Sequence, residues 1–228
     1  MNDDPTAPIL IVLASRNRKK RDEMARLVAP SWVSNPRLGR IRIETLEDHP
    51  GAPEVEEDAP TFVGNAIKKA SETARFLARW VLADDSGLAV DALGGAPGVI
   101  SARYAGVHGD DDANNRKLLE ALSGIPDDRR GAAFICALAL ADPSGEVRLE
   151  SQGACRGRII HEERGPHGFG YDPLFLVPEY HRTFGELGPL VKHQLSHRAR
   201  AFEHFRSGLE RMIARGEFAG PSIAPLSG

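Results

Sequence analysis

Apolar residues along the chain fall into blocks, and their spacing changes from block to block. Residues 8–14, Pro-Ile-Leu-Ile-Val-Leu-Ala, form a continuous apolar run rich in branched side chains. That pattern predicts a strand covered on both faces, as in a parallel sheet. A polar turn over residues 15–20 leads into a helical pattern with Met24, Leu27 and Val28 on one side. Residues 29–40 hold Pro30, Pro36 and Gly39 and read as a loop, and residues 41–46 alternate as a second strand. Between residues 61 and 79, Phe62, Ala66, Ala70, Ala74 and Leu77 recur every three or four positions, the mark of an amphipathic helix. Asn65, Lys69 and Glu72 share another face of it, a row expected to meet solvent unless it borders a cleft.

A short apolar run over residues 80–83 predicts a strand that carries Asp84 and Asp85 at its end and stops at Ser86 and Gly87. Asp110, Asp111 and Asp112 open a short helix bearing Leu118, Leu119 and Leu122, which Gly124 and Pro126 close. Residues 132–141 and 147–154, joined by Asp-Pro-Ser-Gly, predict a long antiparallel hairpin. Residues 156–164 continue it as exposed strand or loop, and residues 172–177 return to a strand. The last helix carries Ala201, Phe202, Phe205, Leu209 and Met212. Residues 1–7 and 216–228 are polar or small and read as flexible ends.

The chain has 228 residues, 41% of them hydrophobic and 27% charged, an ordinary globular balance with room for a sizeable core. A net charge of −3 gives the molecule no overall pull on nucleic acid. A polyanionic ligand would therefore need a local basic cluster. Cys136 and Cys155 are too few and too isolated for a disulfide framework or a cysteine metal site, which fits a reduced, cytoplasmic setting. The first residues lack the pattern of a signal peptide, and the longest apolar run is too short to span a bilayer, so no membrane partner is expected.

Five stretches carry candidate chemistry. Asp84-Asp85-Ser86-Gly87 runs into a loop with Gly94, Gly95, Pro97 and Gly98. On a strand the two carboxylates face opposite ways, so one can meet a cleft while the other bonds inside the fold. A carboxylate on a rigid loop suits a metal ion or an activated water; the alternative is a surface turn with two solvated acids. Ser15-Arg16-Asn17-Arg18-Lys19-Lys20 lies between strand and helix, where free backbone N–H groups and basic side chains can cradle phosphate. The same residues also suit a helix cap followed by a solvated basic face. The acidic loop over residues 47–60 holds Glu54, Glu56, Glu57 and Asp58, any of which could ligate a hard cation or only face water. Gly168-Phe169-Gly170-Tyr171-Asp172 reads either as a stacking platform for a base or as a turn whose aromatics close the core. His193 and His197 stand at the i, i+4 spacing of a zinc pair, with no cysteine or His-Glu-x-x-His to support one.

Taken together and in order, these stretches resemble the inosine triphosphatase family, the pyrophosphatases of non-canonical purine nucleoside triphosphates. The resemblance rests on Ser15-x-Asn17-x-x-Lys20, Thr61-Phe62-x-x-Asn65-Ala66-x-x-Lys69-Ala70, Asp84-Asp85-Ser86-Gly87-Leu88 with its glycine loop, and Ser101-Ala102-Arg103-Tyr104. It continues through Gly168-Phe169-Gly170-Tyr171-Asp172-Pro173 and Glu186-Leu187-Gly188 to Lys192 and Ser196-His197-Arg198-Ala199. Arg16 departs from the glycine that many members carry, and could add a phosphate contact or point outward.

The resemblance implies an α/β fold: a long mixed central sheet with flanking helices, forming one catalytic domain of two lobes around a deep cleft. It implies a homodimer, dependence on Mg²⁺, and hydrolysis of ITP, dITP and XTP to the monophosphate and pyrophosphate, which cleanses the nucleotide pool. By position, Ser15, Arg16, Asn17, Arg18, Lys19 and Lys20 would hold phosphates. Asp85 would be the base and a metal carboxylate, with Glu56 or Glu57 as a further metal ligand. Ser86, Phe169, Gly170, Tyr171, Asp172, Lys192, His197 and Arg198 would complete the substrate contacts. Two rivals stand beside this reading. A regulatory module that binds a nucleotide without turnover would have no use for a water-activating Asp85. A pyrophosphatase of ordinary nucleoside triphosphates would be separated by a nucleotide panel.

Overall fold

The computed structural model describes residues 8–16, 24, 38–188, 191 and 194–218. Asn17, Arg18, Lys19, Lys20, Lys192 and His193 lie outside the described residues, as do Leu27, Val28 and, of the expected flexible ends at 1–7 and 216–228, residues 1–7 and 219–228. The strands are β1 (Ile9–Leu13), β2 (Ile41–Thr45), β3 (Val81–Val90), β4 (Gly131–Ala141), β5 (Val147–Ile159), β6 (Phe175–Val177) and β7 (Arg182–Thr183). They form one mixed sheet in the order β2-β1-β3-β4-β5-β6-β7. β1 runs parallel to both its neighbours, and every later pairing is antiparallel. The expectation for β1 holds apart from Leu10, since its other four residues are buried. The hairpin is β4–β5, with β5 reaching Ile159, so the stretch after 154 is strand first and loop afterwards.

Helix α1 (Phe62–Leu77) packs on one face of the sheet. Its stripe of Ala66, Ala70 and Ala74 meets Ala83, Ala137 and Ala139, so small side chains on both sides bring the helix close to the strands. Helix α2 (Asp111–Ala121) opens on Asp110, whose carboxylate accepts the N–H of Ala113, the cap expected of the aspartate cluster. Helix α3 (His197–Ala214) covers the opposite face from α1, where Phe202, Phe205, Leu209 and Met212 meet Ile11, Leu13, Leu82 and Leu138. A third cluster, Leu88, Phe134, Phe175 and Phe184 with Leu118 and Leu122 of α2, fills the other half of the sheet.

Two sequence expectations are corrected here. β3 does not stop at Ser86 and Gly87; it runs on to Val90, because β4 offers it a partner at every position from Val81↔Ala141 to Val90↔Ala132. Gly87 serves close approach and not termination: a Cβ there would come within 2.8 Å of Gly98 O and 2.9 Å of the Phe62 ring. The chain turns only afterwards, at Gly94, Gly95 and Gly98, all with positive φ. The second correction concerns Asn65 and Lys69. They are buried and not solvent-facing, because that side of α1 turns toward the centre of β3.

Arg130, at the foot of β4, is only 2% exposed. Its guanidinium donates to Ile159 O (2.8 Å), Leu122 O (2.9 Å) and Ile160 O (3.1 Å), tying the end of α2 to the end of β5. One planar fork thus satisfies three carbonyls that water does not reach. Arg130→Met keeps the apolar stem and abandons those carbonyls. An unpaired buried acceptor costs about 1–3 kcal/mol. Thermal unfolding of Arg130→Met should therefore fall by roughly 10 °C, on the scale of 2–4 °C per kcal/mol for a chain of this size.

Candidate active site

The site is built where β3 crosses the middle of the sheet. Alternation along the strand sends Asp85 toward α1 and Asp84 with Ser86 toward α3, as the sequence predicts for adjacent residues. Both carboxylates are buried, 3% exposed for Asp84 and 6% for Asp85, so neither is a solvated turn acid.

On the α1 side, Thr61 caps the helix by accepting the N–H of Gly64. One turn in, the Asn65 amide donates to Asp85 Oδ2 (3.0 Å) and accepts the N–H of Ala59 (2.9 Å). A turn further, Lys69 Nζ donates to Glu57 Oε1 at 2.7 Å. Arg103 adds a bond from Nη2 to Glu57 O (3.3 Å), and Lys68 bonds Asp58 (2.6 Å). The acidic loop is thus held from α1 at Asp58, Glu57 and Ala59. Glu57 is turned inward, while Glu56 is exposed and borders neither cavity described below.

Burial pushes the Asp85 carboxyl up to about 6. Lys69 and the Asn65 bond pull the other way, and Glu57 and Asp84 add to the rise. Burial opposes the charge on Lys69, but Asp84, Glu57 and Asp85 outweigh it and hold the ammonium above its ordinary value. The group that stays charged is therefore the lysine. Asp85 is left able to exchange a proton near neutral pH, the property of a general base.

On the α3 side, Ser196 caps the helix through the N–H of Ala199. The His197 ring stacks on Phe134 with centroids 5.1 Å apart. Arg198 donates from Nη2 to Ser86 Oγ (3.0 Å) and sets Nε 3.6 Å from Asp84 Oδ2. Gly153 of β5 makes this seating possible, since a Cβ there would press on Ala201 N and His197 O.

The glycine-rich loop combines both of its alternatives. Tyr171 is buried and donates its hydroxyl to Ser101 O (2.8 Å), closing the core. Asp172 accepts the N–H of Phe169 (2.8 Å), and Asp111 of α2 accepts that of Gly170 (2.7 Å). With the backbone so fixed, the Phe169 ring stands 59% exposed at the edge of a cavity.

That cavity, of about 220 Å³, is bordered by Asp85, Ser86, Phe134, Phe169–Asp172, His197 and Arg198. A second, of about 300 Å³, is bordered by Ser15, Arg16, Glu54, Lys69 and Thr73. Glu57 and His108 border both. Arg16 does not point outward: it donates to Ala52 O (2.8 Å) and Leu46 O (3.4 Å). Asp85 and Glu57 give the first cavity a hard-oxygen donor set that suits a divalent cation. Among the described residues no group of three or more His, Cys, Asp or Glu could hold a metal ion, so a cation here would complete its shell with water and phosphate oxygens.

Of the predicted residues, Asp85, Glu57, Ser86, Phe169–Asp172, His197 and Arg198 converge on the first cavity, and Ser15 and Arg16 on the second. Phe134 and His108 join them without having been singled out, and Asp111, read in the sequence as part of a helix cap, borders the first cavity too. Asn65 and Lys69 had a signal: each directly precedes a core alanine, which puts it at the rim of the buried stripe.

Comparison with known proteins agrees with this arrangement. The profile of the Ham1 family matches residues 11–208. The chain is 55% identical over 203 residues to a protein of Rhodopirellula baltica named dITP/XTP pyrophosphatase, covering 89% of this chain and 94% of that one. It is 47% identical over 207 residues to one of the same name from Desulforamulus reducens, covering 91% and 98%. A solved HAM1 protein from Coxiella burnetii superposes with a TM-score of 0.80 at 40% identity, over 89% of this chain and 99% of that one. The fold is thus shared with a solved protein that matches nearly end to end, and the chain belongs to the Ham1 family.

Proposed function

We propose that the chain hydrolyses dITP, ITP and XTP to the nucleoside monophosphate and pyrophosphate. The observation that carries this reading is the buried Asp85 carboxyl, pushed up to about 6, at the side of a two-chambered cleft. The relatives named dITP/XTP pyrophosphatase support the substrate class. The first cavity takes base and sugar, with Phe169 against the purine, and the second takes the phosphates beside Ser15 and Lys69. Lys20 and Lys192 join the phosphates from outside the described residues.

Water attacks the α-phosphorus, the bond from that phosphorus to the bridging oxygen breaks, and pyrophosphate departs with the bond's electrons. Asp85 takes the proton that the water loses, and Asn65 holds the carboxylate in line. Lys69 stays ammonium and offsets negative charge at the phosphate side. A divalent cation, Mg²⁺ by the hardness of its donors, would be held by Asp85 and Glu57 and supply charge neutralisation to the triphosphate. Arg198 or His197 donates to the 6-oxygen of hypoxanthine or xanthine, where adenine would present a second donor. A single domain of two lobes, acting as a cytoplasmic homodimer, completes the reading; no described helix is long and apolar enough to cross a membrane.

Phosphorus NMR of a reaction with dITP and Mg²⁺ should show pyrophosphate and dIMP as first products; dIDP with orthophosphate would sink the proposal. In the same assay kcat/KM for ITP and XTP should exceed that for ATP by about 5- to 150-fold, the worth of one unpaired buried polar group. Equal values for ITP and ATP would refute the 6-oxygen contact.

Asp85→Asn should lower kcat by ~10²–10⁴-fold, the usual loss on removing a general base. It should also change stability in a definite direction. The fold raises this carboxyl from 3.8 to about 6, so the folded state prefers the neutral acid. Its stabilising contribution is complete below pH 4 and is lost as pH rises through 6, amounting to about 3 kcal/mol at 1.36 kcal/mol per pH unit. Asparagine does not ionise. In chelator, thermal melts of the wild type should therefore lose several degrees relative to Asp85→Asn between pH 4 and pH 7.

A further inference from the structure

We infer that His108 is a substrate-binding residue, which donates a ring N–H to the phosphate chain where it passes from one cavity to the other. The inference rests on the pyrophosphatase reading above and adds a residue to it.

The geometry is that of a constriction. Among the described residues, Glu57 and His108 border both cavities. A nucleotide with its base beside Phe169 and its outer phosphates beside Lys69 has to pass between them. Glu57 is an acid already bonded to Lys69, so it cannot by itself attract a polyanion. Asp85 and Asp111 add further negative charge on the first cavity's wall. Among the described residues the nearby cations are engaged with protein groups: Lys69 with Glu57, Arg198 with Ser86 and Asp84, Arg103 with Glu57 O, Arg16 with Ala52 O. His108 is exposed, and among the described residues it makes no hydrogen bond or ion pair. It therefore offers a donor that is not committed elsewhere, and a neutral imidazole keeps one N–H.

The backbone that carries it is tied on both sides. Gly109 N donates to Ala102 O (2.8 Å), and Gly106 N to Arg103 O (2.8 Å). Asn114 of α2 accepts the N–H of Ala105 (2.7 Å), and Lys117 bonds Tyr104 O (2.6 Å). A side chain with no structural bonds of its own, on a stretch held by so many, is positioned for something that arrives later.

The test compares wild type, His108→Ala and His108→Gln with dITP as substrate and pyrophosphate, dIMP and deoxyinosine as inhibitors. Loss of one hydrogen bond to a charged group should raise KM for dITP by about 10- to 100-fold in His108→Ala, with the smaller part of the loss in kcat. Inhibition by dIMP and pyrophosphate should weaken, while deoxyinosine, which lacks phosphate, should inhibit as before. His108→Gln, which keeps an N–H donor, should recover part of the loss. Melting temperatures should match the wild type, since the side chain supports no packing. An unchanged KM, a glutamine variant no better than alanine, or an equal loss for deoxyinosine would overturn the inference while wild-type turnover upholds the pyrophosphatase reading. A wild type inert toward dITP would overturn both.

Discussion

Two acids one peptide bond apart lie buried at the centre of the sheet, and the surrounding structure is arranged to tolerate them. A carboxylate taken from water costs several kcal/mol unless it is paired or hydrogen-bonded. Asp84 and Asp85 cannot share a hydrogen-bond partner, because strand alternation points them to opposite faces. Each face therefore supplies its own: Asn65 and Lys69 from α1 for Asp85, Arg198 from α3 for Asp84. The two helices are placed by their apolar stripes, but their polar residues are placed by this demand. The outcome is unequal. Asp84 faces a guanidinium 3.6 Å away, while burial holds the Asp85 carboxyl up near neutrality and Lys69, on which Glu57 and Asp84 also draw, offsets that rise only in part.

That sharing links distant parts of the chain. Lys69 couples the helix to the acidic loop, and Arg103 and Asn65 hold the same loop by its backbone. Asp111 and Tyr171 do the equivalent work at the other end of the cleft, fixing the glycine-rich loop to α2 and to Ser101. Two loops that look irregular in sequence are thereby tied to the helices and to Ser101 by side-chain hydrogen bonds.

Much of this was legible in the sequence. The apolar run of β1, the alanine stripe of α1 and the β4–β5 hairpin follow from periodicity. So do the Thr61 and Asp110 positions at the helix starts, and the split of Asp84 from Asp85. What was not legible depended on neighbours distant in sequence. Ser86 and Gly87 look like a strand end until β4 lies alongside and pairs them with Cys136 and Ile135. Asn65 and Lys69 look solvated because local pattern ranks side chains by polarity, whereas their burial is set by a carboxylate on another strand. His108 has no periodicity and no motif to mark it. Its place is apparent only once the cleft has two walls.

The alanine layer beneath α1 sets more than the thickness of the core. Asn65 and Lys69 ride on the same rigid cylinder as Ala66, Ala70 and Ala74, so the gap between helix and strand is also the gap between amide, ammonium and carboxylate. The packing acts as a spacer gauge for the chemistry. A methyl group added at Ala70 or Ala83 would lift the helix by a fraction of an ångström, and the reacting groups with it, without altering any polar side chain. Variation in this protein's apolar interior would then be read out in turnover before it was read out in stability.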